Sequence, residues 1–427
     1  MPTTHRDLVA RSLAAVWHPC TQMKHHERLP LVPIVKGEGA WLIDAQGHRY
    51  LDAVSSWWVN LFGHANPRIN AAVKDQLDRL EHAMLAGFTH QPVIELSERL
   101  AKLTGLGHAF YASDGASAVE IALKMSFHYW RNSGRAGKQK FVSLQGSYHG
   151  ETIGALAVTD VAIFRDAYGP LLNNNLCIPF PAADSAAGDA LQRLLIERHG
   201  EIAALIIEPL VQGAAGMRMY GADFIKTARE LCTRHDVHLI ADEIMTGFGR
   251  TGTMFACEQA GVRPDFMCLS KGITGGYLPL SCVLTTDPVY GAFYDDDVAR
   301  GFLHSHSYTG SALACRAALA TLDIFDSDRV IDTNREQARR FSQHAQAIQT
   351  HPRVANFRHL GMIWAFEVKS ERNTFSRDFF AAALKRGVLL RPIGKTVYFM
   401  PPYVVTEEEF VWLVTQTLAA IDEVAST

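Results

Sequence analysis

Two charged residues in the middle of the chain each follow a short apolar run. Asp242 ends the run HLIAD, and Lys271 comes directly after FMCLS. Such runs predict buried strands, and in parallel α/β sheets ligands bind at the carboxyl ends of the strands. A lysine on a Gly-rich turn facing an aspartate suits pyridoxal phosphate, because the amine forms a Schiff base and the carboxylate pairs with the ring nitrogen. On these two residues alone, the alternative is a capping aspartate and a surface lysine.

The segments around these two residues alternate between strand and helix patterns. From about residue 105 to about 290 the alternation predicts an α/β fold with a mostly parallel sheet covered on both faces. The predicted strands lie at 109–113, 141–145, 204–209 and 238–242. Amphipathic patterns predict further helical structure between 67 and 104 and at 223–235.

The turn after the first predicted strand has the features of a phosphate site. The stretch DGASAVEIALKM opens a helix, and Ser117 and Glu120 have the spacing of a capping box. Free backbone N–H groups at the positive end of a helix dipole bind phosphate. Any βα unit has such a turn, so the feature gains weight only beside Asp242 and Lys271.

Three other segments carry side chains suited to a ligand. Tyr148 and His149 follow a predicted strand, where an aromatic ring can lie over a flat cofactor; a tyrosine bonded to local backbone is the alternative. The pair Trp57 and Trp58 in SSWW predicts an aromatic wall, against structural burial of both. Arg391, beside a proline and between strand residues, suits bidentate carboxylate binding, against an exposed structural role.

The two ends of the chain predict a smaller domain beside the sheet domain. Residues 1–65 predict an irregular N-terminal arm that forms part of this small domain. Residues 66–315 predict a large cofactor-binding domain, and 316–427 predict the C-terminal α+β part of the small domain. The last predicted helix has Thr406 and Glu409 at capping-box positions.

Composition narrows the classes of function. The 427 residues include 48% hydrophobic and 20% charged residues, enough apolar content for a large core. A formal net charge of -3 argues against a nucleic-acid partner, and no stretch approaches the roughly 18 apolar residues of a membrane span. The first residues lack an apolar signal segment. Seven scattered cysteines without CxxC pairs predict a reducing, cytoplasmic location and no metal site.

One motif points to another class of enzyme. Residues 247–252, GFGRTG, match the GxGxxG pattern of dinucleotide-binding oxidoreductases. The glycines begin five positions after Asp242, and the following TMFACEQAG does not open as a clean helix. This context disfavours an oxidoreductase.

With these motifs in order, the sequence resembles the class III, fold-type I pyridoxal phosphate aminotransferases over nearly its whole length. The class-level markers are the dipeptide Glu208-Pro209 and the stretches ADEIMTGFGRTG, SKGITGGYLP and HSHSYTGSALAC. Three further stretches, SSWW, GMRMY and RPIGKTVYFMPPY, resemble the branch that makes 7,8-diaminononanoate from 8-amino-7-oxononanoate in biotin biosynthesis. The resemblance implies a large domain with a mostly parallel central sheet and a smaller α+β domain from both termini.

The resemblance also implies roles at the cofactor. Lys271 would hold pyridoxal phosphate covalently and Asp242 would pair with its ring nitrogen, and these two are the implied catalytic residues. Gly115 and Ala116 would offer backbone N–H groups to the phosphate, and Tyr148 would stack on the ring.

In this family a segment of the second subunit completes the phosphate site, which implies a homodimer with shared active sites. His306 and Ser307 of the matching HSHS segment would lie nearest the phosphate, with a serine in place of the usual threonine. Both residues offer polar groups that a phosphate can bind.

The substrate pocket is implied in the same way. Trp57, Tyr148, Lys271 and Ser305 would line it, and Arg391 would bind the far carboxylate of 8-amino-7-oxononanoate. The implied amino donor is S-adenosylmethionine.

Two donor-recognition candidates depart from the familiar pattern of the family. Cys20 stands where tyrosine is usual, and Glu151 stands where aspartate is usual. Three other functions also remain open. A class III ω-amino acid or diamine aminotransferase would use pyruvate or a similar acceptor, a pyridoxal phosphate mutase would need no external keto acid, and a non-catalytic binding protein would not need the lysine and aspartate pair.

Overall fold

The computed structural model describes residues 4–29, 31–182 and 186–426. Residues 1–3, 30, 183–185 and 427, which the predicted domains include, lie outside the described residues.

The described residues form two compact units. The small unit comprises those of Met1–Pro67, Arg339–Phe357 and Trp364–Thr427, and the large unit comprises those of Arg68–Ala338 and Arg358–Ile363. The domain boundaries drawn from the sequence stay predictions.

The large unit is built on a seven-stranded sheet. Its strands lie side by side in the order His108–Ala112, Ser281–Thr285, Phe266–Leu269, His238–Asp242, Ile202–Ile207, Lys140–Leu144 and Leu176–Ile178. Ser281–Thr285 runs antiparallel to both of its neighbours, and the other four pairs of strands are parallel. The predicted α/β fold with a mostly parallel sheet is therefore confirmed.

Apolar sequence explains why the middle of this sheet is buried on both faces. Every residue of Ile202–Ile207, His238–Asp242 and Phe266–Leu269 is buried, as expected of parallel strands covered by helices. Ala118 and Ala122 of one covering helix belong to the same apolar cluster as the strand side chains.

The large unit also contains helices, 3₁₀ helices and two short strands outside the sheet. Its helices are Gln91–Thr104, Gly115–Asn132, Ile153–Ala157, Ala162–Arg165, Ala187–Arg198, Ala222–Arg234, Asp287–Gly291 and Ala312–Ser327. Its 3₁₀ helices are Asp166–Leu171, His199–Glu201, Ala256–Ala260, Lys271–Thr274 and Val298–Arg300. A small antiparallel ribbon pairs Val211–Gln212 with Arg218–Met219.

The strand register brings three charged residues to one edge of the large sheet. Asp242, the last residue of its strand, pairs in parallel register with Cys268, three positions before Lys271. Glu208 comes directly after Ile202–Ile207, the strand on the other side of Asp242. Because parallel strands end at the same edge, this edge is where chemistry is expected.

The small unit combines sheets and helices. One sheet orders the strands Ile34–Glu38, Trp41–Asp44, Arg49–Asp52 and Val388–Leu389, and elsewhere Ile363–Val368 pairs antiparallel with Thr396–Phe399. Its helices are His5–Ala15, Phe375–Lys385 and Glu407–Ser426, with a 3₁₀ helix at Met23–Glu27 and a helical turn at Ser55–Trp58. Four elements contain residues of both units: Pro67–Leu77, Val330–Gln349, Val354–Leu360 and Ile363–Val368.

The two ends of the chain differ in how well the sequence predicts them. The capping box is confirmed, because the Thr406 N–H donates to Glu409 Oε2 at 2.9 Å and the Glu409 N–H to Thr406 Oγ1 at 3.2 Å. The irregular N-terminal arm is wrong for His5–Ala15, a helix whose first turn is capped by Thr4. This helix buries none of its residues, so it does not depend on packing against the core. Among the described residues, no helix is both long and apolar enough to cross a membrane.

Candidate active site

Lys271 lies two positions beyond the end of the Phe266–Leu269 strand and begins a 3₁₀ helix. Its φ of 47° is a left-handed conformation, which is costly for a residue with a side chain and is typical of functional positions. Burial lowers the pKa of its amine, and attraction to Asp242 and Glu208 offsets part of that shift. A lower pKa increases the fraction of neutral amine, the form that acts as nucleophile and base.

Asp242 is 4% exposed and has a hydrogen-bond partner on each oxygen. Its Oδ2 lies 2.7 Å from Nδ1 of His149, and its Oδ1 accepts the N–H of Ile244 at 3.2 Å. The Nε2 atom of His149 is buried and has no hydrogen-bond partner among the described residues. A carboxylate this deeply buried requires partners, so His149 is the side chain that stabilises Asp242 in place.

Glu208 is a second buried carboxylate at the same edge. It accepts the N–H of Tyr148 at 2.9 Å and the N–H of Gly213 at 3.0 Å. Burial raises the pKa of Glu208 to about 7; His149 opposes this shift, and the charge of Asp242 adds to it. Glu208 therefore ties the Tyr148 loop to the sheet edge and changes its protonation near neutral pH.

Tyr148 and Glu151 lie together in the loop after Lys140–Leu144. The Tyr148 hydroxyl donates to Glu151 Oε1 at 2.8 Å, and the ring lies 5.4 Å from that of Phe164. The structure thus joins the predicted ring-stacking residue to a predicted donor-recognition residue. Because Glu151 is exposed, it remains open to a ligand.

The predicted phosphate turn opens the helix Gly115–Asn132. Its cap is Asp114, whose carboxylate accepts the N–H of Ser117 at 2.9 Å. The predicted capping box of Ser117 and Glu120 is therefore wrong, because the helix starts two residues before Ser117. Gly115 and Ala116 occupy the first turn, where backbone N–H groups have no partner within the helix.

Glu120 performs a different task from the one its spacing predicts. Its Oε1 accepts the N–H of Gly154 at 2.7 Å, at the start of the helix Ile153–Ala157. A Cβ at Gly154 would lie 2.2 Å from the other carboxylate oxygen, so a side chain at this position would displace the Glu120 carboxylate. This long-range cap fixes one end of the loop that carries Tyr148.

The HSHS segment approaches the phosphate turn within the same chain. His306 Nε2 lies 2.9 Å from the hydroxyl of Ser113, the residue before the helix cap. Lys124 Nζ lies 2.8 Å from Nδ1 of His304. The hydroxyl-bearing side chains of Ser305 and Ser307 are exposed.

In the small unit, Trp57 and Arg391 form a cation–π pair. The guanidinium carbon lies 4.9 Å from the indole centroid, and Nη2 donates to the carbonyl of Cys20 at 3.0 Å. Trp57 is 43% exposed and Trp58 is 6% exposed, so neither an aromatic wall of both rings nor burial of both describes this pair. Cys20, a predicted donor-recognition residue, contacts Arg391 through its main chain.

Comparison with known proteins identifies the family. Residues 22–421 match the model of the family described as Aminotransferase class-III. The chain is 48% identical over 428 residues to the adenosylmethionine-8-amino-7-oxononanoate aminotransferase of Helicobacter pylori, with 98% of each chain covered. The Geobacter sulfurreducens protein of the same name is 41% identical, with 93% of this chain and 94% of that protein covered.

This chain belongs to the class-III aminotransferase family. Solved structures agree: the Methanocaldococcus jannaschii adenosylmethionine-8-amino-7-oxononanoate aminotransferase superposes with a TM-score of 0.94 at 36% identity, covering 97% of this chain and 98% of that one. The omega transaminase of Pseudomonas jessenii in complex with PMP gives 0.93 at 27% identity, covering 98% of both chains. The chain is a class-III aminotransferase with pyridoxal phosphate as its cofactor.

The large unit of this class-III aminotransferase fits pyridoxal phosphate. Asp242 offers a carboxylate for the ring nitrogen and Lys271 an amine of lowered pKa. A Cβ on Gly150 would lie 2.5 Å from Cβ of Ala116, so the loop that carries Tyr148 packs directly on the phosphate turn. Groups for the ring, the aldehyde and the phosphate thus come from neighbouring segments.

The GFGRTG glycines serve the fold of this aminotransferase. Gly249 and Gly252 have φ values of 86° and 101°, and a five-residue 3₁₀ helix, Ala256–Ala260, follows them. Arg250 accepts the N–H of Met362 at 2.8 Å through its carbonyl. A dinucleotide site needs a long helix directly after its glycines, so the oxidoreductase alternative has no structural support.

The sequence does not predict the contacts of two residues of the site. It places His149 after a predicted strand and Glu208 in a family marker, but it predicts no partner for either. The available signal for Glu208 is its position as a further acid directly after a buried strand, which predicts that it lies beside Asp242.

The raised pKa of Glu208 predicts how stability depends on pH. In the cofactor-free protein, the folded state binds a proton between about pH 4.5 and about 7 that the unfolded state does not. This proton stabilises the folded state fully below pH 4.5, and the stabilisation is lost as the pH rises through 7. The free energy of unfolding falls by roughly 3 kcal/mol over this range, because one pKa unit corresponds to about 1.4 kcal/mol. Denaturant unfolding at about pH 5 and about pH 8 measures how the free energy of unfolding depends on pH. In Glu208→Gln this dependence should lack the contribution of Glu208, so its slope should be smaller. Glu98→Gln, at an exposed helix position, is the control, and an unchanged slope in Glu208→Gln contradicts the assignment.

Proposed function

We propose that this enzyme converts 8-amino-7-oxononanoate to 7,8-diaminononanoate in biotin biosynthesis, with S-adenosylmethionine as the amino donor. The observation that carries the acceptor assignment is the 48% identity to the Helicobacter pylori enzyme of that name over 98% of both chains. Omega transaminases share the fold at 27% identity, so an ω-amino acid aminotransferase is the less supported function.

The groups of the large unit supply the steps of amino transfer. When bound, pyridoxal phosphate supplies an aldehyde that takes up the amino group and a ring that stabilises negative charge. Lys271 would hold the cofactor through its amine, and this amine, in the neutral form that its lowered pKa favours, would accept the proton from the donor carbon. Asp242, kept in position by His149, would pair with the ring nitrogen. Tyr148 would lie against the ring.

Backbone N–H groups of Gly115 and Ala116 would hold the phosphate at the positive end of an 18-residue helix. We assign His306 and Ser307 to the phosphate site of the second subunit in a homodimer. Exposed apolar side chains close to this segment suit a subunit contact: Met84, Phe88, Leu303 and Tyr308. The hydrogen bond of His82 Nε2 to the Ser307 carbonyl, 2.8 Å long, joins the two stretches on which they lie.

Substrate recognition is assigned to Trp57, Arg391 and Ser305. Arg391 presents a planar fork that matches a carboxylate, and its exposed position leaves it open to the acid end of the acceptor. Trp57 offers a half-exposed apolar face for the carbon chain. Glu151 and Cys20 are each assigned to recognition of the donor. The seven free cysteines suit a cytoplasmic enzyme.

The two half-reactions test this function directly. Adding S-adenosylmethionine to the cofactor-loaded enzyme without acceptor should remove the absorbance of the covalently held cofactor, and 8-amino-7-oxononanoate should then restore it. Failure of the keto acid to restore the band contradicts the acceptor. Bleaching by lysine or another amine, with no response to S-adenosylmethionine, contradicts the donor alone. Faster cycling with β-alanine and pyruvate would favour the ω-amino acid function.

Replacement of the lysine should separate cofactor binding from chemistry. Lys271→Ala should still bind pyridoxal phosphate through the phosphate turn, but should lack the absorbance of the covalently held cofactor and show no turnover. Lys226→Ala is the matched control, because the side chain of Lys226 is 52% exposed on the helix Ala222–Arg234. Turnover that survives in Lys271→Ala removes this residue from its role.

Replacement of Arg391 should affect the two half-reactions unequally. Arg391→Ala should lower kcat/KM for the keto acid by about 30-fold, the loss expected when charge-assisted hydrogen bonds worth about 2 kcal/mol are removed. The kcat/KM of Arg391→Lys should lie between those of the wild type and Arg391→Ala, because lysine keeps the charge and lacks the planar fork of the guanidinium. Arg11→Ala, at an exposed helix position, should change neither half-reaction. Equal damage to the donor half-reaction would show that Arg391 is not specific to the acceptor.

A further inference from the structure

The SSWW turn has an unusual backbone. Ser55, Ser56, Trp57 and Trp58 have φ values of 52°, 47°, 76° and 72°, so four consecutive residues with side chains are left-handed. The other left-handed residues with side chains among the described ranges are separated from one another along the chain. Such a run is disfavoured by contacts of Cβ with the backbone, and it persists only when surrounding groups hold it.

Asp52 is the main clamp on this turn. Its Oδ1 accepts the N–H of Ser56 at 2.8 Å, and its Oδ2 accepts the Ser56 hydroxyl at 2.7 Å. The carboxylate is fully buried at the end of the strand Arg49–Asp52, so its position is set by the sheet. Two hydrogen bonds from one residue to one carboxylate fix both the backbone and the side chain of that residue.

A histidine completes the clamp. His64 Nε2 lies 3.0 Å from Asp52 Oδ2, and the amide nitrogen of Asn60 lies 3.2 Å from His64 Nδ1. Because the amide donates to Nδ1, the ring carries its proton on Nε2 and donates it to the carboxylate. This arrangement gives the buried Asp52 a third donor and fixes its orientation.

The residues on either side of Ser56 and Trp57 are anchored separately. The Ser55 hydroxyl donates to the Met400 carbonyl at 2.7 Å, and the indole N–H of buried Trp58 donates to the Tyr398 hydroxyl at 3.0 Å. Trp57 differs, because its ring is 43% exposed and contacts the Arg391 guanidinium. The turn therefore buries one tryptophan and presents the other.

We propose that Asp52 is a positioning residue for substrate recognition: its hold on Ser56 keeps the turn left-handed and thereby presents the Trp57 ring to Arg391. This proposal rests on the proposed function, in which Trp57 and Arg391 bind the acceptor. A turn that served packing alone would need to anchor Trp58 only. The half-exposed Trp57 beside an exposed arginine gives the strained backbone a use in binding.

The test compares two buried aspartates of the small unit. Asp52→Asn replaces one carboxylate oxygen, which accepts hydrogen bonds, by an amide nitrogen, which donates them. Asp44→Asn is the matched control, because Asp44 is 2% exposed and accepts the N–H groups of Gln46 and His48 in the neighbouring turn. Both variants should unfold at lower denaturant concentration than the wild type.

Only Asp52→Asn should raise the KM for 8-amino-7-oxononanoate, by about tenfold or more, with the donor half-reaction changed less than about twofold. Equal effects of the two variants on KM would show a merely structural role and overturn the proposal. Ser56→Gly placed in Asp52→Asn should recover part of the KM, because glycine adopts positive φ without a penalty. No recovery would also overturn the proposal.

A second measurement does not depend on the substrate. The emission of Trp57, taken as the difference between each protein and its Trp57→Phe version, should shift to longer wavelength in Asp52→Asn and not in Asp44→Asn. An unchanged Trp57 emission overturns the positioning role, whereas a wild type that ignores the keto acid overturns the proposed function alone. If Asp52→Asn does not fold, Ser56→Ala, which removes one of the two hydrogen bonds, should give the same shift to a smaller extent, and its absence there overturns the proposal.

Discussion

The hydrogen bond between Asp242 and His149 is the interaction on which the candidate cofactor site depends. A carboxylate that is 4% exposed at the end of a buried strand loses its hydration and is stable as an anion only with fixed partners. His149 supplies one at 2.7 Å, so the loop that contains it must lie against the strand ends. That placement explains why Gly150 has no room for a side chain and why Glu208 accepts the N–H of Tyr148. One contact thus sets the positions of Asp242 and Tyr148 together.

Both units contain left-handed residues that tertiary contacts hold in a strained backbone conformation. Lys271 is left-handed at the start of its 3₁₀ helix, and the SSWW turn is left-handed throughout. Neither segment has a glycine at those positions, so local preference opposes the conformation and tertiary anchors enforce it. In each case the strained residue, Lys271 or Trp57, is one to which recognition or chemistry is assigned. Local rules fail where the site requires a particular side-chain direction.

The sequence predicts the central sheet well because its strands are short continuous apolar runs, and it predicts Asp242 and Lys271 because they end those runs. It does not predict which tryptophan of SSWW is exposed, since the left-handed turn breaks the periodicity on which such patterns rely. It also misplaces Glu120, whose partner is the N–H of Gly154, 34 positions away. Contacts over that distance leave no local signal, so caps and clamps at the site require the structure.

Burial also determines which residues of this enzyme tolerate substitution. Asp242 and His149 are buried against each other, so a change at either leaves an unpaired polar group and is costly. Cys20 and Glu151 are exposed, and Cys20 contacts Arg391 through its carbonyl, which any residue provides. Substitutions at these two positions therefore cost little stability. The departures from the family pattern therefore lie at exposed positions, whereas the pair of Asp242 and His149 is buried.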